Sequence, residues 1–429
     1  MRRDLRILRA ALALAALAAA LLTGGCGQRP RANPFDPANP VTGGRPAGFA
    51  ALAGNGQVEL EWQSANVAGL LGYQLYRKLV TDTAYTAITG LIPASASRIG
   101  DFQLANGIEH DYRLYYVFDR GLGNLPAEDV ATPGPLEPWV ADFGRGAIAR
   151  MTADGRHIES WQAFGVPATS NGVPIDVAAD PANGVVWVST NSGPLVVYNP
   201  ATHTGLDITL PASPGALALD PVDGTAWLCD DVNFSVYHFN VSGSQASPGV
   251  LTPFENPLDI AVDPGDRSVW VCERDGNRID HFAADGSGRV FATVPAPSRV
   301  AVDSLTHEVW ATSFTRSRVY RIAATTALSD SFTFASGPVG VAVDGRRGRI
   351  WVADATAGLV FAARRNGSVE FQLGGIGTPR ELAVDAATGD AWVTLVSPAG
   401  VARISAAGKL LTFVPGFDQP LGLSLGVGP

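Results

Sequence analysis

From residue 137 to the C-terminus, apolar and polar positions alternate in short runs, and the runs repeat. The plainest copy is Pro338 to Asp354, P-V-G-V-A-V-D-G-R-R-G-R-I-W-V-A-D. Strict alternation predicts a half-buried strand ending at Asp344, a polar turn through Gly348, and a second strand carrying Trp351. The first strand recurs as I-D-V-A-A-D (175–180), A-L-A-L-D (216–220), D-I-A-V-D (259–263), R-V-A-V-D (299–303) and E-L-A-V-D (381–385). The second is marked by Trp139, Trp187, Trp227, Trp270, Trp310, Trp351 and Trp392, mostly 40 to 43 residues apart. Nine residues after each stands a β-branched residue: Ile148, Val196, Val236, Ile279, Val319, Val360 and Val401. Branching at Cβ suits a packed pleated surface, which predicts a third strand. A more variable fourth follows, as in V-F-A-T-V (290–294) and L-L-T-F-V (410–414).

Four short strands in each repeat of about 40 residues predict an all-β chain built of propeller blades. Trp139 has no A-V-D strand before it, so seven Trp strands face six first strands. The missing copy is P-L-G-L-S-L-G, residues 420–426. The expectation is a seven-bladed β-propeller over 137–429, closed by 420–426 completing the first blade, which removes two free sheet edges. The repeats resemble NHL-type propellers and the related virginiamycin B lyase-like group. That resemblance implies the fold; lyases, lactone hydrolases and binding modules all occur on such folds.

Residues 47–134 alternate at a different rhythm: Val58, Leu60 and Trp62, then G-Y-Q-L-Y-R (72–77) and D-Y-R-L-Y-Y-V-F (111–118). This stretch resembles a fibronectin type III β-sandwich, with Trp62 and Tyr112 at the family's core-Trp and tyrosine-corner positions. Such a domain implies a spacer.

Arg2, Arg3, Arg6 and Arg9 precede a 13-residue apolar run, Ala10–Leu22, which is too short to span a bilayer as a helix. L-L-T-G-G-C, residues 21–26, resembles the lipobox of bacterial lipoproteins, with Thr23 at the usual Leu position. The resemblance implies a signal peptide over 1–25, lipid on Cys26, and an outer-membrane lipoprotein facing periplasm or cell surface. Gly27 does not supply the Asp that retains some lipoproteins at the inner membrane. Residues 26–46 carry five prolines and read as a semi-extended tether.

Composition changes this picture little. Charged residues are 17% of the chain, with 48 Gly and 30 Pro, in keeping with short strands and tight turns. The net charge of −9 becomes about −12 once the four Arg and one Asp of the first 25 residues are removed, which argues against nucleic acid. Three cysteines are too few for a disulfide scaffold. Cys229 and Cys272 occupy equivalent places in W-L-C and W-V-C, so they point the same way around the ring and not at each other.

Several residue types could carry chemistry. Asp180, Asp220, Asp263, Asp303, Asp344 and Asp385 each precede a turn and read as backbone caps. His238 and His281 fall eleven residues after their Trp, where Arg150, Arg321 and Arg403 stand in other repeats. A place that accepts either residue type reads as a polar edge site more readily than as a metal ligand. No nucleophile elbow, H-E-x-x-H or phosphate-cradling loop occurs at a strand–helix junction. The loops between second and third strands break the repeat. They offer Asp230, Asp231, Asn233, Glu273, Arg274, Asp275, Arg316 and Arg318 as a candidate ligand face.

The sequence therefore predicts a membrane-tethered, extracytoplasmic, monomeric binding or scaffolding protein. It would use the loop face for a protein or carbohydrate partner, without a cofactor. The alternative is a metal-assisted lyase or lactone hydrolase at the central mouth, using a divalent metal.

Overall fold

Each tryptophan of the repeat lies opposite a small residue. In the computed structural model, which describes residues 33–39, 42–65, 69–163, 172–180, 183–191, 193–210 and 214–427, Trp187 pairs with Ala178, Trp227 with Ala218, and Trp270 with Ala261. Trp310 pairs with Ala301, Trp351 with Ala342, Trp392 with Ala383, and Trp139 with Ser424. All seven indoles are buried. The Ala of A-V-D is thus the small half of a cross-strand pair whose large half is the indole. The β-branched residues nine positions after each Trp are buried as well.

The chain forms two compact units. Residues 136–427 make seven four-stranded antiparallel sheets. Six run in chain order, from Val173–Asp180 in sheet two to Leu410–Pro415 in sheet seven. Sheet one is assembled from both ends of this region. Leu136–Asp142 pairs with Ala147–Met151 on one side and with Pro420–Val427 on the other, in the register Trp139↔Ser424 and Val140↔Leu423. Leu423 packs in one cluster with Val140, Met151, Trp392 and Val401, so its strand joins the apolar interiors of sheets one and seven.

The repeated aspartates cap turns. Asp220 accepts from Val222 N at 2.9 Å, Asp263 from Gly265 N at 2.8 Å, Asp303 from Leu305 N at 2.9 Å, and Asp385 from Ala387 N at 2.8 Å. Four residues after the aspartate the backbone is left-handed, and Gly184, Gly224, Gly348 and Gly389 fill that place. Arg267 and His307 fill it in sheets four and five, at φ of 66° and 59°. A bulky residue there is strained, and in both cases the side chain offsets the strain by bonding the preceding sheet's aspartate. Arg267 Nε donates to Asp220 at 2.5 Å, and His307 Nδ1 lies 2.7 Å from Asp263 Oδ2.

Residues 50–131 form a three-stranded sheet, Ala50–Gly54, Gln57–Glu61 and Arg98–Phe102, and a second sheet built on Leu70–Leu79 paired with His110–Phe118. Trp62, Tyr73, Tyr112 and Tyr116 are buried, and Trp62 and Tyr73 lie with ring centroids 5.2 Å apart. The described part of the 26–46 stretch differs from the extended tether expected of it. Thr42 Oγ1 donates to Pro34 O at 2.6 Å, and Phe35 lies edge-on to Tyr116 and Phe118 at 4.6 Å. An aromatic side chain in a proline-rich segment lowers its free energy by packing on the sheet surface. The export signal and Cys26 lie outside the described residues.

Cys229 and Cys272 are free and buried, and burial pushes both thiols up. Among the described residues no helix is long and apolar enough to cross a membrane.

Candidate functional site

One position of the repeat breaks its symmetry. A proline stands at or just before the start of all seven first strands, or one residue inside it: Pro174, Pro214, Pro257, Pro297, Pro338, Pro379 and Pro420. Two residues further on stand, in order, Asp176, Ala216, Asp259, Arg299, Gly340, Glu381 and Gly422. The strand ladder shifts register beside this place in five sheets, between Pro174 and Asp176, Pro257 and Asp259, Pro338 and Gly340, Pro379 and Leu382, and Pro420 and Leu423. A bulge re-aims the side chain at its site. Here it turns Asp176, Asp259 and Glu381 towards a cavity of about 680 Å³ lined by all seven first strands, and Arg299 joins them from an unbroken ladder.

The carboxylates bridge neighbouring strands. Asp176 Oδ2 accepts from Leu217 N at 2.9 Å and Oδ1 from Val177 N at 2.8 Å. Asp259 Oδ2 accepts from Val300 N at 2.7 Å. In both pairs the donor is the N–H one place further along the next sheet's first strand. Gly422 is glycine because a Cβ there would lie 2.4 Å from Asp176 Oδ1, and Gly340 because a Cβ would lie 2.5 Å from Arg380 O. Arg299 reaches past sheet six, which carries that glycine, to place Nε 3.2 Å from Glu381 Oε2.

Asp176, Asp259 and Glu381 therefore share the cavity with two guanidiniums, those of Arg299 and Arg380. Asp176, Asp259, Arg299 and Glu381 are half-buried by accessible surface, whereas Arg380 is exposed. What surface they keep borders the cavity. The protein walls around it still strip much of their hydration, which is why burial shifts these groups strongly. Burial pushes Asp176 up to about 6, against its backbone hydrogen bonds. Burial pushes Asp259 up to about 7, with Arg299 opposing and Glu381 reinforcing. Burial works against charge on Arg299, but Glu381, Asp259 and Asp176 overcome it and hold the guanidinium firmly protonated. Arg380 is lowered by burial and then by the like charge of Arg299. Because the folded state holds the Asp176 and Asp259 protons more tightly than the unfolded chain, their ionisation removes stability as pH rises from about 4 to 7. Two carboxylates and one guanidinium are thus kept at a cost to the fold.

Of the loop residues expected to form a ligand face, Asp231 is exposed and lines this cavity. Asp230 and Glu273 do not belong to a surface at all. Both are fully buried at the end of a second strand, three residues after the Trp. Asp230 Oδ1 accepts from Val232 N at 3.0 Å and Asn233 N at 2.9 Å, and Asn233 Nδ2 donates back to Asp230 Oδ2 at 3.1 Å. Glu273 accepts from Glu255 N at 2.8 Å and Arg278 at 3.1 Å, and also from Arg289. The Asp230 bonds close its own loop, whereas Glu273 ties its loop to the one before, as Asp354 does in sheet six with Ser336 N and Gly337 N. Arg274 and Asp275 are exposed and paired with each other at 3.2 Å, and Asp275 also accepts from Asn256 at 2.9 Å. Arg316 is exposed, and Arg318 donates to Ser331 Oγ at 3.1 Å.

His238 and His281 lie flat on the indoles of Trp227 and Trp270, with ring centroids 3.8 and 4.0 Å apart. They are the ladder partners of those residues, a place where Arg150 and Arg403 lie over Trp139 and Trp392. The common property is a flat group that stacks on a ring. Among the described residues, Asp263, Asp266 and His307 bring three ligand atoms within 4.8 Å. His307 there takes the part that Arg267 takes on Asp220, and a guanidinium cannot ligate a metal. The cluster is therefore an inter-sheet link.

No protein-family model matches the chain, and no curated protein matches it. Solved structures do. A functionally unknown protein from Desulfotomaculum acetoxidans DSM 771 superposes with a TM-score of 0.57 at 12% identity, over 68% of this chain and 99% of that chain. The hydrazine synthase of Kuenenia stuttgartiensis gives 0.53 at 16%, over 61% and 92%. A chain of a nidogen/laminin complex gives 0.46 at 15%, over 68% and 98%. At such identities the likeness is one of architecture: the chain has an all-β, β-propeller-like fold.

Proposed function

We propose that this is a non-enzymatic binding or scaffolding protein of the cell envelope. In this reading a lipid on Cys26 holds a fibronectin type III-like spacer and a seven-bladed, NHL-like propeller outside the cytoplasm, as a monomer. The loops between second and third strands bind a protein or carbohydrate partner. The observation that carries the reading is Phe234. It is half exposed on such a loop at φ of 52°, where the corresponding loops use Gly146, Asn277, Ser317 and Gly358. A bulky residue in that backbone region is strained, and nothing in the packing of the sheet calls for an exposed aromatic ring. Val232 on the same loop and Phe314 on another are exposed too. Aromatic anchors among charges, here Asp231, Arg274, Asp275 and Arg316, are the composition of a protein-binding surface.

Phe234→Ser is expected to leave the melting temperature nearly unchanged, since half of the ring is already exposed. It should cut recovery of the partner from envelope extract by about tenfold, the effect of one lost anchor. Identical recovery by wild type and variant would remove the loop face from consideration. Cys26→Ser is expected to move the protein from the detergent phase to the aqueous phase, because the acyl chains of this one residue supply the anchoring. A wild-type protein already in the aqueous phase would refute the lipid anchor.

A metal-assisted lyase or hydrolase would need carboxylates converging on one ion. In the cavity the Arg299 guanidinium stands among them, bonded to Glu381. The Asp263–Asp266–His307 cluster is not part of the cavity lining. Binding is the better-supported reading.

A further inference from the structure

We infer that the central cavity is a binding site for a small zwitterion of the amino-acid class, its carboxylate held by Arg380 and its ammonium by Asp176 and Asp259. Of the loop-face residues the site shares Asp231, and the inference does not use Phe234.

Strand-to-strand bonding accounts for part of each aspartate. Asp176 and Asp259 each take a backbone N–H from the next first strand. It does not account for the absence of a cation bonded to either one: Arg299 is bonded to Glu381 and to Ser298 O. Nor does it account for Arg380. Its guanidinium makes no hydrogen bond or ion pair among the described residues, lines the cavity, and lies near enough to Arg299 for the two charges to repel. A channel filled only with water gains nothing from a guanidinium set beside another. An anion between them relieves both the repulsion and the lost hydration.

The opposite need arises at the aspartates, where burial disfavours the charged form and no cation is bonded to either carboxylate among the described residues. A ligand with one charge of each sign satisfies both ends at once; a ligand with one charge leaves the other end as it was. The cavity also selects the kind of cation. Among the described residues no aromatic side chain lines it, so none supplies the aromatic cage that holds a quaternary ammonium. An ammonium with N–H donors can use the free lone pairs of the carboxylates instead. Between the charged groups the walls are aliphatic, with Ile175, Val177, Val341 and Leu421, which favours an apolar side chain. The volume of about 680 Å³ falls within the ordinary range for small-molecule pockets.

The test is calorimetric titration and thermal melting of the whole chain with glycine, L-leucine and L-lysine. Two controls match leucine but lack one charge each: 4-methylpentanoate and 3-methylbutylamine. Leucine should bind saturably and raise the melting temperature, and each control should bind at least about tenfold more weakly, the effect of losing one charge-assisted bond set. Arg380→Gln removes a group with no hydrogen-bond or ion-pair partner among the described residues, so it should melt as the wild type does and lose leucine by at least about tenfold. Asp259→Asn keeps the acceptor for Val300 N and should lose leucine similarly, while Phe234→Ser should bind leucine as the wild type does. The inference is overturned if none of the three amino acids binds at about 10 mM, far weaker than ordinary ligand affinity. It is equally overturned if either control binds as tightly as leucine, or if Arg380→Gln binds leucine unchanged.

Discussion

Removing Leu421–Pro429 is expected to cost a large part of the stability of the repeat region and to leave much of the protein insoluble. The deletion takes away the strand paired with Leu136–Asp142 along its whole length. It exposes Val140, Met151 and Trp392, which now pack around Leu423. It also removes two bonds across the junction, Ala179 N to Ser424 Oγ at 3.0 Å and Thr394 Oγ1 to Leu421 O at 3.1 Å. Two sheet edges and a patch of apolar surface become free to pair with other chains. The loss should be comparable with the whole stability of a domain, about 5–15 kcal/mol, because no other strand can fill the gap. Solubility after expression and the melting curve of any soluble fraction measure it. A truncated protein that melts with the full-length one would show that the C-terminal strand does not close the ring.

Trp270→Ala should destabilise the repeat region by about 3–5 kcal/mol, the usual cost of emptying a buried aromatic site. The indole is 1% exposed, donates to Ser268 Oγ at 3.2 Å, and covers the ring of His281. His281 supplies a second readout. Burial holds its imidazole below the ordinary value of 6.5, so removing the indole admits water and should raise it towards that value. Urea unfolding and an NMR titration of His281 test the two effects separately. A loss below about 1 kcal/mol would mean that the ring is not the core of its sheet.

The residues legible in advance are those whose role is settled within their own hairpin. Trp351, Ala342 and Val360 meet inside one sheet, and Asp344 caps a turn three residues away, so spacing alone predicts their parts. The sequence places Asp230 and Glu273 among the candidate ligand groups because a carboxylate on a loop between strands is usually solvated. Their loops fold back over them, and the carboxylates take up backbone N–H groups that have no other partner. The cavity charges were present in the same aligned strands, in the variable place between the proline and A-V-D. Reading that column through all seven repeats is the signal that finds Asp176, Asp259, Arg299 and Glu381.

By itself the sequence determined the strands, their hairpin partners, the turn caps and the need for a distant strand to complete sheet one. Each follows from side-chain size, polarity and backbone preference over a few residues. Only the tertiary structure decided which polar groups share a site. Arg299 and Glu381 are 82 residues apart and meet because the sheets between them turn their first strands to a common cavity. Nothing in local propensity distinguishes an arginine that faces solvent from one that faces three carboxylates across a cavity. That difference arises from ring closure, through the desolvation and Coulomb interactions that closure imposes on groups far apart in the chain.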